Sequence, residues 1–165
     1  MDFTLSEEQQ GFVDSAQAFS NAVLAPNAAQ WDEDCFFPKD VLKQAGDLGF
    51  MGMYTPENAG GLALPRLDAS LIVEELAKGC TTTAAFLTIH NMATSMVGRY
   101  CQTSVIDTWC PDLVMWQKLA SYCLTEPGAG SYAAALRTNS ACDGNEYVVN
   151  GSKSFISGAC ETDVT

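Results

Sequence analysis

Residues 82–99 limit what this chain can become more than any other stretch. Ala84, Phe86, Leu87, Ile89, Met92, Met96 and Val97 fall on nearly every face of a helix. A helix of that kind is stable only with other elements around it. The chain must therefore build a helical bundle, and it carries the helices to do so. Ser6-Glu7-Glu8-Gln9 is a capping box, with Ser6 as N-cap and Gln9 three residues on. Phe12, Val13, Ala16, Phe19 and Val23 follow at helical spacing until Pro26, which ends or kinks the helix. A second helix is expected from Pro38, carrying Val41, Leu42, Ala45 and Leu48, and leaving through Gly49 and Gly52. Residues 54–65 (Y-T-P-E-N-A-G-G-L-A-L-P) read as a loop. A third helix is expected over 66–78, with Gly79 as its stop, and a weaker fifth near 104–116.

The character changes near Leu119. Residues 120–124 form a short apolar run bounded by Thr-Glu-Pro-Gly and read as a strand. Residues 136–142 and 146–150 flank Asp143-Gly144, a hairpin signal. Asn150-Gly151 is a second one, leading into 152–157. The expected fold class is α+β: an all-α N-terminal domain over 1–118, then the first antiparallel strands of a β-barrel-like middle domain over 119–165. A few strands without a partner face are marginal in water, so a portion of a longer protein is expected.

Charge and cysteine usage exclude several functions. The net charge of −12 argues against nucleic-acid binding and against a polybasic membrane patch. No apolar run reaches the length of a bilayer span. Met1-Asp2-Phe3-Thr4 carries no secretory or transit signal. None of the seven Cys forms C-x-x-C, and His90 is the single His, so no metal site is expected. Free thiols in a reducing compartment are the plain reading.

The chemistry concentrates in residues 122–131, Y-C-L-T-E-P-G-A-G-S. Gly128, Ala129, Gly130 and Ser131 are small, so a ligand can approach the main chain, and successive free N–H groups there can bind an anion. Thr125 and Ser131 add hydroxyls, and Tyr122 a ring. Such donors beside an apolar strand suit a flat, phosphate-bearing cofactor. A turn that only joins two strands is the alternative. Gly128 to Ala133 also fits the G-x-G-x-x-A dinucleotide fingerprint, but Glu126-Pro127 interrupts its lead-in and strands follow it.

The 122–131 segment resembles the flavin signature of the acyl-CoA dehydrogenases. Residues 148–159 (V-V-N-G-S-K-S-F-I-S-G-A) resemble the family's second flavin segment. Residues 54–62 resemble its P-E-x-x-G-G-L loop, and 5–12 its opening helix. Stretches 66–92 and 118–131 look closest to members that oxidise a short branched acyl-CoA in valine breakdown. The resemblance covers essentially all 165 residues, and less than half of a full family member.

The resemblance implies an FAD-dependent oxidoreductase that dehydrogenates an acyl-CoA between its α and β carbons. Tyr122, Cys123, Leu124, Thr125, Glu126, Pro127, Gly128, Ala129, Gly130 and Ser131 would form one side of the FAD site. Tyr122, Leu124 and Thr125 would line the isoalloxazine, with Thr125 donating to its reactive edge. Gly130 and Ser131 would hold the pyrophosphate, and Ser131 would also reach the acyl-CoA substrate. Phe155, Ile156 and Ser157 would pack on the other side of the ring. No residue here matches the family's catalytic base. Electron-transfer flavoprotein would accept the electrons, and the full-length protein would be a homotetramer. The compartment implied is the mitochondrial matrix in a eukaryote and the cytoplasm in a bacterium. The other expectation is a non-catalytic portion or short isoform that binds no flavin and acts at most as an interaction module. Tyr132 stands where the family usually has Asp, Cys160 where Gly is usual, and Ala63 where Gly is common.

Other residues have simpler readings. His90 is expected as a satisfied core residue. Phe86, Leu87 and Thr88 lie on the stretch that resembles the family's acyl-pocket helix, with core packing as the alternative. Glu74-Glu75 and Asp32-Glu33-Asp34 are expected at solvated edges, and Trp31, Trp109 and Trp116 in the core or an interface.

Overall fold

The computed structural model describes residues 4–165. Met1-Asp2-Phe3, read above for a targeting signal, lie outside the described residues. Helices come first: α1 (Glu7–Phe19), α2 (Ala28–Glu33), α3 (Lys39–Asp47), α4 (Arg66–Gly79), α5 (Thr81–Tyr100) and α6 (Thr103–Val114). One antiparallel hairpin follows, β1 (Asn139–Asp143) with β2 (Glu146–Asn150).

Ser6 caps α1 as its sequence predicts. Its Oγ accepts the Gln9 N–H at 3.1 Å, and its own N–H donates to Gln9 Oε1 at 3.0 Å. The helix then widens into a π-turn over Ser20–Leu24 and ends just before Pro26. The short α2 is not foreseen from periodicity. Its Ala-Ala-Gln start favours helix, but six residues are too few for an apolar stripe to show. Asp32 and Glu33 close it and stay exposed. α3 starts one residue later than expected, with Pro38 as its N-cap. Only Cys80 separates α4 from α5, and its Sγ accepts the Thr83 N–H at 3.5 Å.

α5 departs from the expectation of a helix enclosed on every face. Met96 and Ala85 are exposed, while His90, Asn91, Thr94 and Ser95 are buried. The polar residues turn inward because loop backbone meets them there. Asn91 Oδ1 accepts from Met53 N at 2.7 Å, and its Nδ2 donates to Phe50 O at 2.7 Å. Buried main-chain groups of residues 50–53 are thereby satisfied by a side chain. Around this helix, α1 packs on α4, α4 on α5, and α6 on α5. Leu24, Leu42, Met51, Met53, Ile72, Leu76 and Leu87 are fully buried. Each contributes about 1.5–3 kcal/mol in area removed from water.

The β region forms less than expected. Residues 120–124 make a single parallel bridge, Ala120 to Val164, instead of a strand. The partner is the end of the chain: Asp163 and Val164 donate to Leu119 O at 2.9 and 3.0 Å, and Ser121 N donates to Val164 O at 2.8 Å. The first hairpin strand begins at Asn139, not at 136, because the Arg137 and Thr138 amides are taken by the Glu126 carboxylate. The second hairpin, at Asn150-Gly151, does not form. Ser154 N donates to Thr125 O at 2.9 Å instead of returning to β2. All ten residues of β1 and β2 are exposed. Among the described residues no helix is long and apolar enough to cross a membrane.

Candidate functional site

The 122–131 loop is a peptide held at both ends. It enters from Leu119–Ser121, which is pinned from three sides. Asp163 Oδ2 accepts Leu119 N at 2.8 Å, His90 Nδ1 accepts Ala120 N at 3.1 Å, and the Ser121 hydroxyl donates to Ser157 O at 2.5 Å. It turns at Glu126-Pro127-Gly128-Ala129, where Glu126 and Ala129 exchange N–H···O bonds of 2.9 and 3.1 Å. The turn leads into a short 3₁₀ segment, Ala133–Ala135, and not into an α-helix. The dinucleotide fingerprint therefore lacks its helix, and that reading fails.

Glu126 organises the space beneath the loop. It is 8% exposed. Its Oε2 accepts Arg137 N at 2.7 Å, and its Oε1 accepts Thr138 N at 2.9 Å and Lys153 Nζ at 2.9 Å. The adjacent Thr138 side chain, the Arg137 amide and the Lys153 ammonium hold its carboxyl down to about 2. The Thr138 Oγ1 sits there without completing a regular hydrogen bond. Lys153 Nζ also donates to Leu124 O at 3.1 Å. A groove of about 420 Å³ opens beside this cluster, between Pro127-Gly128 and Gly151-Ser152.

The structure thus brings both expected segments, 122–131 and 155–157, to one place. Tyr122, Cys123, Leu124, Thr125 and Ile156 are half-buried there; Glu126 and Ala129 are buried. Pro127, Gly128, Gly130, Ser131 and Ser157 are exposed. Apart from its chain neighbours, no atom of the described residues lies within 4 Å of where a Cβ would stand on Gly128 or Gly130, so the loop surface is open to close approach. Among the described residues, the N–H groups of Leu124, Thr125, Gly130, Ser131, Ile156 and Ser157 have no protein acceptor. Two donor-rich strips beside half-buried apolar side chains fit a flat cofactor carrying ring acceptors and a pyrophosphate. Phe155 is not packed: its φ is +57° and its ring is 96% exposed.

The three departures from the family pattern have local outcomes. Tyr132 is 72% exposed, so its ring leaves the loop for solvent. Cys160 is exposed and avoids the left-handed region. Ala63 adopts φ +49°, which accounts physically for a Gly being common there. Phe86 and Leu87 are buried in the core and Thr88 is half-buried. Phe86 also closes on the second segment: a Cβ on Gly158, at φ +77°, would stand 2.5 Å from its ring.

Sequence reasoning missed the roles of Lys153, Arg137 and Thr138. The available signal was a Glu just after an apolar run and before Pro-Gly, a charge that needs a partner if buried. His90 is the satisfied core residue expected. Its Nδ1 accepts from Ala120, so Nε2 carries the proton, facing Leu113 O at 3.0 Å and Thr94 Oγ1 at 3.2 Å. Burial, against the Leu113 carbonyl that favours its charge, lowers its pKa to about 4. No group of three or more His, Cys, Asp or Glu among the described residues is placed to hold a metal.

Comparison with known proteins gives these features a lineage. Residues 6–116 match the model of the acyl-CoA dehydrogenase N-terminal domain. The mitochondrial isobutyryl-CoA dehydrogenases of Bos taurus and Dictyostelium discoideum are 46% and 44% identical over 160 residues, 97% of this chain. The chain spans 38% of the length of either relative. A glutaryl-CoA dehydrogenase from Mycobacterium smegmatis in complex with FADH2 superposes with a TM-score of 0.92 at 26% identity, covering 98% of this chain and 42% of that one. On the match over most of its helical part, the chain belongs to the acyl-CoA dehydrogenase family.

Proposed function

We propose that this chain supplies the helical domain, residues 1–118, and one wall of the flavin site, residues 119–165, of an FAD-dependent acyl-CoA dehydrogenase. Its substrate is a short branched acyl-CoA, isobutyryl-CoA in the first place. The observation that carries the reading is the juxtaposition of 122–131 with 152–157, joined at Ser154 N to Thr125 O, each with N–H donors that no group among the described residues accepts. The 44–46% identity to isobutyryl-CoA dehydrogenases supports the choice of acyl chain.

The roles follow from the donors present. Tyr122 and Leu124 give apolar surface to the ring, and the Thr125 hydroxyl donates at its edge. The N–H groups of Gly130 and Ser131 take the pyrophosphate, and the Ser131 hydroxyl reaches the acyl-CoA. Ile156 and Ser157 serve the opposite side of the ring, together with Phe155. FAD, when bound, accepts the hydride that leaves the substrate's β carbon. No residue of this chain is assigned as the base that removes the α proton. Electrons pass onward to an electron-transfer flavoprotein, the assembly is a homotetramer, and the compartment is the mitochondrial matrix, a reading supported as far as the mitochondrion by the two relatives' names.

The test is direct. The native polypeptide that carries this sequence, purified from its source, should show flavin absorbance that bleaches on adding isobutyryl-CoA. A protein with no flavin, or one bleached only by long straight-chain acyl-CoA, contradicts the reading. Ser131→Val should weaken both FAD retention and acyl-CoA affinity; no change in either removes Ser131 from the site. One observation favours a second reading for residues 1–165 expressed alone: β1 and β2 bury no face and Phe155 is exposed. That isolated stretch is expected to be colourless, and a yellow product with one flavin per chain would exclude a non-catalytic portion.

A further inference from the structure

We propose that Glu126 and Lys153 are positioning residues: together they form a clamp that presets the spacing of the two flavin-facing segments before any cofactor binds. The proposal rests on the flavin reading above and adds to it which residues set the site's shape. Three consecutive residues of the first segment are tied to two consecutive residues of the second. Lys153 Nζ binds Leu124 O at 3.1 Å and Glu126 Oε1 at 2.9 Å. Ser154 N binds Thr125 O at 2.9 Å. The ties occupy the main chain of Leu124 and Thr125 through carbonyl oxygens only. Their N–H groups and the Thr125 hydroxyl have no protein partner among the described residues.

The pair is a poor candidate for simple stabilisation. Buried ion pairs lose in desolvation much of what they gain by attraction, and apolar replacements are often neutral. What the pair provides is direction. The carboxylate is fully engaged, with Arg137 N and Thr138 N fixing its plane from a third stretch of chain. Of the ammonium's three N–H donors, one is held by that carboxylate and a second is thereby aimed at Leu124 O. The carboxyl stays ionised at any ordinary pH, so the clamp does not open on mild acidification.

The experiment uses the native polypeptide and Lys153→Met, Glu126→Gln, Lys153→Arg and the double variant E126Q/K153M. Three quantities are read: amide hydrogen exchange at Ser154 in flavin-free protein, FAD affinity by quenching of its fluorescence, and the absorption spectrum of bound flavin. Lys153→Met should speed Ser154 exchange about tenfold or more while the α4 and α5 amides keep their rates. It should also weaken FAD about tenfold or more and shift the bound-flavin spectrum. Lys153→Arg should restore most of each. Because the two residues act as one unit, the double variant should be little worse than either single one. If Glu126→Gln fails to fold, the comparison of Lys153→Met with Lys153→Arg decides alone. Wild-type FAD affinity and spectrum in Lys153→Met overturn the clamp, and so does unchanged Ser154 exchange. Fully additive losses in the double variant overturn it as well. Absence of flavin in the wild-type protein overturns the flavin reading itself and this proposal with it, and that is seen without any variant.

Discussion

His90 joins parts of the chain that are far apart in sequence. Through one imidazole, α5 holds the end of α6 at Leu113 and the entry to the loop at Ala120. The Ala120 bond needs the neutral ring, because a protonated Nδ1 cannot accept, so acid should work against the fold here. The folded pKa, about 4, lies below the ordinary 6.5. In that case the unfolded chain takes up the proton first as pH falls. Stability is full above about 6.5 and is lost progressively down to about 4, by roughly 3 kcal/mol in all. Glu126 acts in a lower window: its contribution is present above about 4.5 and lost as pH falls through about 2. Denaturant unfolding measured from pH 7.5 to 4 should therefore show a slope that His90→Phe abolishes. The same variant should lose about 2 kcal/mol at pH 7.5, because the Ala120 amide and the Leu113 carbonyl lose their partner. A slope unchanged in His90→Phe would assign the acid sensitivity elsewhere. Asn91→Ala tests the neighbouring bonds. It strips partners from Met53 N and Phe50 O in a buried place, and a loss of about 2–4 kcal/mol is expected by the same measurement.

At the scale of elements, what was legible in the sequence was what local spacing encodes. The capping box at Ser6, the bounds of α4 between Pro65 and Gly79 and the turn before Glu146 all depend on neighbours within a few residues, and all stand in the structure. What was not legible depends on distant partners. Residues 120–124 have a strand's composition, yet the partner available to them is Val164. Residues 136–138 read as the start of a strand, yet Glu126 claims their amides. His90 was read as a core residue, but the inward turn of its neighbour Asn91 could not be, because Asn91 is polar in the sequence and becomes a core residue only when the backbone of residues 50–53 meets it. The candidate site divides the same way. Its two strips are contiguous motifs and were visible, whereas Lys153, which joins them, sits 27 positions from Glu126. Gly158 shows how an element junction can be tested. A methyl group there meets both a left-handed backbone and the Phe86 ring. Gly158→Ala should lower stability by about 1–3 kcal/mol, and adding Phe86→Ala should cost less than the sum of the two single changes. Strict additivity would mean that the 157–164 segment does not rest on α5.

Over the whole molecule, stability should be unevenly distributed. Fully buried side chains gather around α1, α4 and α5, with the loop at residues 50–53 seated on Asn91. The hairpin has none: Tyr147 and Val149 are exposed on one strand, and the facing Cys142 and Ser140 are exposed on the other. A two-stranded ribbon with no buried face is held by its ladder alone, and in water such a ladder is marginal. It therefore opens without the helices opening. Residues 1–165 studied alone should show hairpin amides that exchange about a hundredfold or more faster than those of Leu87, His90 and Asn91 in α5. Between these extremes should lie the Ser154 amide, whose partner belongs to a loop anchored on α5 through Ala120 and His90. Protection of the hairpin equal to that of α5 would contradict this ranking and would mean that something covers its faces in solution. Dilution separates the causes: if protection falls with protein concentration, the cover is a second copy, and if it does not, the hairpin folds onto its own chain.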